Sequence, residues 1–153
     1  MKARRMKYTK KFEVSLAKLS ESEKKVIGIL QKVGDLVGQI YEKHELGKDG
    51  NSHFYPADAT KEELQAAISQ DDDMASDFTY IRRDDDGKLY AIPYEEACKK
   101  ELNDIAELLE EAAEASDDEG LASYAESAAR NLVSGNFDQV LFDYLKLENS
   151  RID

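Results

Sequence analysis

The stretch Thr79–Tyr94, TYIRRDDDGKLYAIPY, predicts one β-hairpin in a chain whose other patterns are helical. Two short runs with strand-type residues, 80–83 and 88–92, flank the four turn residues Asp84–Gly87. An Asp-Gly pair is typical of a two-residue hairpin turn, because both turn positions need positive φ. Pro93 then ends the second strand and can begin the helix that follows. We therefore expect a hairpin over about residues 79–92.

Helical periodicity fills the rest of the chain and predicts about five helices. Capping boxes at Ser20–Glu23 and Thr60–Glu63 begin the first two. The next two helices are expected over about 94–115 and 119–134, and Gly135 is a good stop before the last one. The apolar positions recur at steps of three and four, and they are Val26, Leu30, Val33, Val37 and Ile40, then Leu64, Ala67 and Ile68, then Cys98, Leu102, Ile105, Leu109 and Ala112, then Leu121, Tyr124, Ala125, Ala128 and Leu132, and finally Phe137, Val140, Leu141, Tyr144 and Leu145.

The predicted fold class is therefore mainly α: an irregular bundle of about five helices with one β-hairpin. Residues 1–18 are interpreted as a basic, flexible tail, and residues 19–153 as a single helical domain. Gly28, Gly34 and Gly38 all lie in the first helix, and each costs up to about 1 kcal/mol relative to Ala. They favour close approach of another backbone; the alternative is glycine tolerated in a well-packed helix.

Charge limits the class of partner. Net charge is −12, but the first eleven residues hold six Lys/Arg and no acid, which leaves −18 on the remainder. The acidic remainder disfavours nucleic acid and anionic membranes as partners, although the basic first eleven residues could bind something acidic. No apolar run approaches the roughly 20 residues that span a bilayer. The single cysteine, Cys98, excludes an internal disulfide and is expected to be a small buried hydrophobe. We expect a cytoplasmic protein.

A second segment, Phe54–Leu64 (FYPADATKEEL), adds family information to the hairpin. Together the two segments resemble the N-terminal part of bacterial zinc metallopeptidases related to dipeptidyl-peptidase III, some of which carry Nudix-like labels. The resemblance runs from about Leu19 to the last residue. It implies a substrate cleft between two lobes, with this portion as the scaffold of one lobe. It also implies a zinc site on HExxGH and a downstream glutamate motif, further along that family's chain; neither motif is present here.

The nearest approach to a zinc helix is the pentapeptide HELGK, which begins at His44. HExxH places two histidines one turn apart on one helical face. Here Lys48 occupies the second histidine position, and Asp49 occupies the position that HExxGH would need. His53 is too far along the chain to complete either motif. We expect no metal site at this position, and zinc only in the absent remainder of the family's chain.

The aspartate runs invite a calcium hypothesis. If Gly87 took position 6 of an EF-hand loop, Arg82 would be at position 1 and Pro93 at position 12, and neither can be a ligand. A hairpin turn is the better interpretation. Asp71–Asp73 is interpreted as a solvated loop.

Two further sets of side chains have alternative interpretations. Arg82 and Arg83 must face opposite sides of a strand, so at most one points toward any cleft, and a salt bridge to the hairpin's own aspartates is the favoured role. The tyrosines of this region could line a peptide-binding wall. Alternatively they pack the hairpin onto the helices with their hydroxyls exposed, which is the favoured interpretation. They are Tyr55, Tyr80, Tyr90 and Tyr94.

From these patterns we assign no catalytic, cofactor-binding or metal-ligating residue. The leading hypothesis is an N-terminal scaffold and substrate-cleft portion of a dipeptidyl-peptidase III-like metallopeptidase, inactive alone and completed by the remainder of the same polypeptide. The alternative is a stand-alone acidic helical module that binds a protein or peptide partner. A hydrolase that uses paired carboxylates is a third hypothesis, but proximity of acids proves little in a chain with 33 of them.

Overall fold

The computed structural model describes residues 17–45 and 54–148. The elements, in chain order, are α1 (Glu21–Ile40), a π-helical turn (Tyr41–Glu45), α2 (Lys61–Ile68), a 3-10 turn (Asp72–Ala75), β1 (Thr79–Arg83), β2 (Leu89–Pro93), α3 (Tyr94–Ala97), α4 (Lys99–Ala115), α5 (Glu119–Val133) and α6 (Phe137–Leu145). The predicted fold class, mainly helical with one hairpin, is confirmed. The tail over residues 1–16, the Gly47 helix stop and the loop through His53 lie outside the described residues, and the single-domain boundaries stay a prediction.

Helix α4 is the centre of the bundle, because it packs against α1 on one side and α5 on the other, and α5 in turn packs against α6. The α4–α5 contact buries Ile105 and Leu109 against Ala128 and Ala129. Small alanines let the two helices approach closely, and each fully buried aliphatic side chain contributes roughly 1.5–3 kcal/mol. Toward the start of α1, Val26 completes a second cluster with the far end of α4.

The hairpin is antiparallel and pairs Thr79 with Pro93 through to Arg83 with Leu89. Ile81 and Leu89 are buried with Met74 under the apolar side of α2. The Ile81 N–H donates to the Phe54 carbonyl oxygen at 2.8 Å, which ties the segment before α2 to β1. The hairpin and α2 therefore form one small unit beside the four-helix layer.

The hairpin turn is longer than the predicted two-residue Asp-Gly turn. The Gly87 N–H donates to the Asp84 carbonyl at 3.0 Å. Within the turn, position 87 is the one that requires glycine, because its φ is 82°. The Asp84 carboxylate accepts hydrogen bonds from the N–H groups of Asp86 and Lys88, at 3.1 and 2.7 Å. The side chain of Asp84 therefore organises a three-residue loop with a left-handed glycine, a common hairpin type.

The predicted caps are largely confirmed. Ser20 accepts from the Glu23 N–H at 3.1 Å, and the Glu23 carboxylate accepts from the Ser20 N–H at 2.6 Å, which completes the capping box. Thr60 accepts from the Glu63 N–H at 3.1 Å, and the Glu63 carboxylate binds Arg83 more strongly than it binds the Thr60 backbone. The second box is therefore looser than the first, because a charged partner is the main partner of its carboxylate.

Four further sequence expectations were wrong in detail. The helix expected over 94–115 is broken at Cys98, whose φ and ψ are −112° and 21°. The break separates two sets of contacts: the Tyr94 N–H is bound to the Phe78 carbonyl of the hairpin unit at 2.9 Å, while α4 packs against α1 and α5. Asp71 is not only part of a loop, since its carboxylate accepts from the Asp73 N–H and begins the 3-10 turn.

The third and fourth corrections concern apolar surfaces. No heavy atom beyond the chain neighbours and local helix lies within 4 Å of a Cβ placed at Gly28, Gly34 or Gly38, so in the described chain no other backbone approaches α1 there. At the end of the expected apolar face of α1, Val37 is 52% exposed, and on α6 Leu145 is 68% exposed. Within residues 17–45 and 54–148, every helix is too short or too polar to cross a membrane.

Candidate functional site

One concave feature of the described residues is an apolar groove between α1 and α6, which we call the α1–α6 groove. Helices α4 and α5 form its floor, and α1 and α6 form its two walls. Its volume is about 280 Å³. The wall residues are Val33, Val37 and Ile40 on α1 and Phe137 and Val140 on α6, and the floor residues include Leu102, Ile105, Leu109, Ala128 and Leu132.

The lining of this groove has little chemistry to offer. None of its described lining residues is charged, and the polar side-chain atoms among them belong to Tyr94, Tyr124 and Cys98. Burial raises the pKa of the Tyr124 hydroxyl, with smaller contributions from Tyr144 and Asp143, so this hydroxyl stays neutral near pH 7. General acid–base catalysis needs a group that titrates near the working pH. The groove instead suits the apolar face of a helix or another hydrophobic segment.

Arg83 has a structural role, with partners that differ from those predicted. Its guanidinium binds Glu63 through two nitrogens, at 2.7 and 3.1 Å, and lies 3.2 Å from the Asp58 carboxylate. It also donates to the Gly87 carbonyl oxygen. The carboxylates of the hairpin itself were the expected partners, but the Asp84 carboxylate is already bound within the turn. Arg83 therefore joins the hairpin to α2 and the loop before it.

The electrostatics of this cluster follow from the same contacts. The hydrogen bonds from the Arg83 guanidinium hold the pKa of the Glu63 carboxyl below its ordinary value, and burial opposes the effect. The same pair raises the pKa of Arg83 further. Arg82 turns to the other side, where its guanidinium carbon lies 4.9 Å from the centre of the Tyr80 ring. The expectation that the two arginines diverge is confirmed.

The four tyrosines do not form one wall. Tyr80 is fully buried, and its ring stacks on Tyr94 at 4.5 Å and on Phe54 at 5.9 Å between centroids. These rings pack the hairpin onto the helices, as predicted, but the Tyr80 hydroxyl is buried rather than exposed. Tyr55 and Tyr90 are 53% and 41% exposed. Tyr80 is therefore part of the core and cannot line a peptide-binding wall with the other tyrosines.

The described residues hold no group of three His, Cys, Asp or Glu side chains with the geometry of a metal site. The side chains of His44 and Glu45, and all of His53, lie outside the described residues. Asp84 uses its carboxylate in the hairpin turn, and Asp71 uses its own to begin the 3-10 turn. The described residues therefore provide no set of ligands for the zinc of the family that this sequence resembles.

A polar cluster on α5 and α6 escaped the sequence analysis. The Asp143 carboxylate accepts from Ser127 Oγ at 2.7 Å and from Gln139 Nε2 at 2.6 Å, with Lys146 Nζ at 3.3 Å. The Ser127 hydrogen bond is the main cause of the lowered pKa of Asp143, and burial opposes it. Ser127 donates a hydrogen bond to the Asp143 carboxylate, and the lowered pKa of this carboxylate makes it a weak base. The cluster is therefore suited to joining α5 to α6 and poorly suited to activating a nucleophile. Gln139 and Lys146 stand at helical spacing from Asp143, but no signal in the sequence links them to Ser127, 16 positions before Asp143.

The outer side of α6 exposes a cluster of large apolar side chains, which we call the α6 outer patch. Leu141, Phe142 and Leu145 are 56%, 57% and 68% exposed. None of the three is among the described residues that line the groove, where α6 contributes Phe137 and Val140. Clusters of exposed large apolar side chains are typical of interaction surfaces.

Comparison with known proteins finds no matching family model and no matching curated protein. Two solved structures share the fold. Dipeptidyl-peptidase III (DPP III) from Caldithrix abyssi matches with a TM-score of 0.72 and 24% identity over 86% of this chain and 34% of its own. The enzyme from Corallococcus sp. strain EGB matches with a TM-score of 0.67 and 24% identity over 90% and 35%. This chain spans about a third of the length of the structures it matches, and the resemblance found in the sequence is confirmed: the chain has the fold of a portion of DPP III.

Proposed function

We propose that this chain is the N-terminal scaffold portion of a DPP III-like zinc metallopeptidase, helping to shape one side of the substrate cleft. The observation that carries the proposal is the fold likeness, which covers 86% of this chain but only 34% of the Caldithrix abyssi enzyme. A portion of that size supplies packing surfaces and cleft walls, and a larger remainder supplies the chemistry. In this proposal the protein is cytoplasmic, where a single unpaired cysteine is the ordinary state.

The α6 outer patch supports a covering partner. Exposing Leu141, Phe142 and Leu145 to water costs free energy that burial would recover, at about 25 cal/mol per Å² of apolar surface. The remainder of the same polypeptide is the partner that we propose for this patch. Its position on the last described helix is consistent with a following segment that folds back onto it.

Zinc ligands and the catalytic glutamate would come from that remainder. The His44–Lys48 spacing fails for both zinc motifs, and the described residues hold no three-ligand cluster. The polar clusters around Arg83 and Asp143 are used to join helices and the hairpin. We therefore expect the 153-residue chain to be inactive by itself.

Two measurements test this proposal. Isothermal titration of the chain with zinc chloride should give no stoichiometric site tighter than about micromolar Kd. A chromogenic dipeptidyl substrate should stay intact with the chain and zinc, while Caldithrix abyssi DPP III run alongside hydrolyses it. A stoichiometric submicromolar site, or hydrolysis that a chelator abolishes, would overturn the assignment of an inactive scaffold.

The alternative function is a stand-alone acidic helical module that binds a separate protein, and the α6 outer patch favours it equally. The open reading frame distinguishes the two. Continuation past Asp153 into an HExxGH segment supports the scaffold, whereas a stop codon at that point leaves the patch for a separate partner. The variant Phe142→Ser tests the patch itself: it should weaken either association, while Tyr90→Ser, on an exposed site of the hairpin, should not.

A further inference from the structure

The end of α1 presents an apolar face that the described chain leaves about half exposed. Its members stand at steps of three and four, the spacing that places side chains on one face of a helix, and they are Gly34, Val37, Gly38 and Tyr41. Tyr41 keeps α-helical backbone angles and so continues this face. Val37 is 52% exposed and Tyr41 is 49% exposed. We call these four residues the α1 open face.

The α1 open face is continuous with the α1–α6 groove, because Val37 belongs to both. An apolar cavity of about 150 Å³ holds a benzene ring, so a groove of about 280 Å³ has room for roughly two large apolar side chains. The opposite wall of this space is formed by Phe137 and Val140 of α6. A ligand that lies along the α1 open face can therefore place apolar side chains in the groove.

The two glycines of this face limit the shape of the ligand. Glycine weakens a helix relative to alanine, and no described residue beyond the local helix and the chain neighbours uses the space beside Gly34 or Gly38. Where side chains are this small, a second helix can approach to about 8 Å between axes, the short end of the usual range. Val37 and Tyr41 then contact its sides. The surface therefore suits a helix with an apolar face of its own.

Charge favours a neutral apolar partner over two other occupants. The stretch 33–41, VGDLVGQIY, has one charged residue, Asp35, in a chain that is 35% charged. A basic peptide would be attracted to the acidic parts of the chain instead of this face. A second copy is disfavoured because each chain has a net charge of −12, and two bodies of like charge repel each other.

Chain length indicates where the helix comes from. This chain covers 34% and 35% of the two DPP III structures that share its fold, and in the proposed function the remainder of the same polypeptide follows it. Covalent attachment gives such a segment a high effective concentration at this face. We propose that an amphipathic helix of that remainder packs on the α1 open face and fills the α1–α6 groove. This inference rests on the proposed function and adds a contact surface separate from the α6 outer patch.

The first test compares the isolated 153-residue chain with the polypeptide that the whole open reading frame encodes. Gly38→Leu fills the α1 open face, and Gly28→Leu makes the same change about 15 Å away along α1. In the isolated chain each should raise the thermal midpoint by about 2–4 °C, because leucine favours helix and the space beside both glycines is open. In the whole polypeptide Gly28→Leu should still raise the midpoint. Gly38→Leu should lower it there, since the new side chain takes the space of the docked helix.

Thiol labelling measures directly whether the face is covered. Val37→Cys places a thiol on the α1 open face, and Gln39→Cys places one at an exposed position on the other side of the helix. Cys98 is 1% exposed and adds little background. Both new thiols should react with a maleimide in the isolated chain. In the whole polypeptide, labelling at position 37 should slow by at least about tenfold, because it requires local opening, while labelling at position 39 should not change.

The outcomes separate failure of this inference from failure of the proposed function. If Gly38→Leu raises the midpoint of both polypeptides, or if position 37 reacts equally fast in both, the inference is overturned and the scaffold assignment stands. A reading frame without an HExxGH segment would overturn the scaffold assignment, and the inference with it. Light scattering of the isolated chain should report a monomer. A dimer that Val37→Glu dissociates would overturn the inference by identifying a second copy as the occupant.

Discussion

Replacing Tyr80 with Ala is expected to separate the hairpin unit from the helical layer. Tyr80 is fully buried, and its ring lies between those of Tyr94 and Phe54 at centroid distances of 4.5 and 5.9 Å. The substitution leaves a cavity where these three rings meet. Tyr90, on the opposite strand of the same hairpin, is 41% exposed and provides a matched control.

The magnitude follows from burial. Truncating a large buried aromatic side chain to Ala costs about 3–5 kcal/mol, and each lost ring pair contributes about 0.5–1.5 kcal/mol to such a total. With a urea m-value of about 2 kcal/mol/M, a loss of about 4 kcal/mol moves the unfolding midpoint by roughly 2 M. The same change at Tyr90 removes a half-exposed ring and should cost below about 1 kcal/mol.

Urea denaturation followed by far-ultraviolet circular dichroism measures both changes. Because domains of this size have about 5–15 kcal/mol of stability, Tyr80→Leu provides a milder variant if Tyr80→Ala is unfolded in buffer. The decisive result is that the midpoint shift is larger for Tyr80→Ala than for Tyr90→Ala. Equal midpoint shifts for Tyr80→Ala and Tyr90→Ala would refute the role of Tyr80 as the anchor between the hairpin and the helices.

Three further predictions concern single contacts. Gly135→Ala should lower the free energy of unfolding by about 1–2 kcal/mol because φ is +74° at this position. The added Cβ would also lie 2.6 Å from the Glu95 carboxylate. If Glu95→Ala restores full stability in the double variant, the clash and not the φ value is the cause. Arg83 lowers the pKa of Glu63, so the Glu63–Arg83 ion pair stabilises the fold above the unfolded-state pKa of Glu63, and this stabilisation is lost as pH falls through the folded-state pKa. Glu63→Gln should therefore flatten the decrease in unfolding free energy below about pH 4.3. An unchanged dependence of stability on acid pH would contradict this role of the ion pair. Ser20→Ala should lower stability by about 0.5–2 kcal/mol in thermal unfolding, with Ser123→Ala, an exposed change within α5, near neutral.

Local patterns in the sequence predicted the elements well. The hairpin, the cap at Ser20 and the stop at Gly135 each depend on residues within a few positions of one another. Such interactions are encoded in short windows, and the structure confirms them. The helical spacing of apolar residues likewise predicted the buried face of α4, from Leu102 to Ala112.

Features set by distant contacts were not predictable. Glu63 and Arg83 are 20 positions apart, so nothing in either segment indicated that a capping carboxylate would bind the hairpin. The helix break at Cys98 lies where the chain passes from Tyr94, which binds the hairpin unit, into α4, which packs against α1 and α5. The α6 outer patch and the α1–α6 groove depend on which faces find partners in the tertiary structure, and helical periodicity identifies an apolar face without stating what covers it.

The pairing of α1 with α4 also matters while the chain is being made. Ser22 and Ala115, which meet through a 2.7 Å hydrogen bond, are 93 positions apart. At synthesis rates of about 5–20 residues per second, α1 leaves the ribosome roughly 5–20 s before its partner does. During that interval Val26 and Ile29, which end as two of the most buried side chains, have no native surface to cover them. The nascent chain therefore has a defined period in which its first helix is a target for chaperones, and that period ends when α4 emerges.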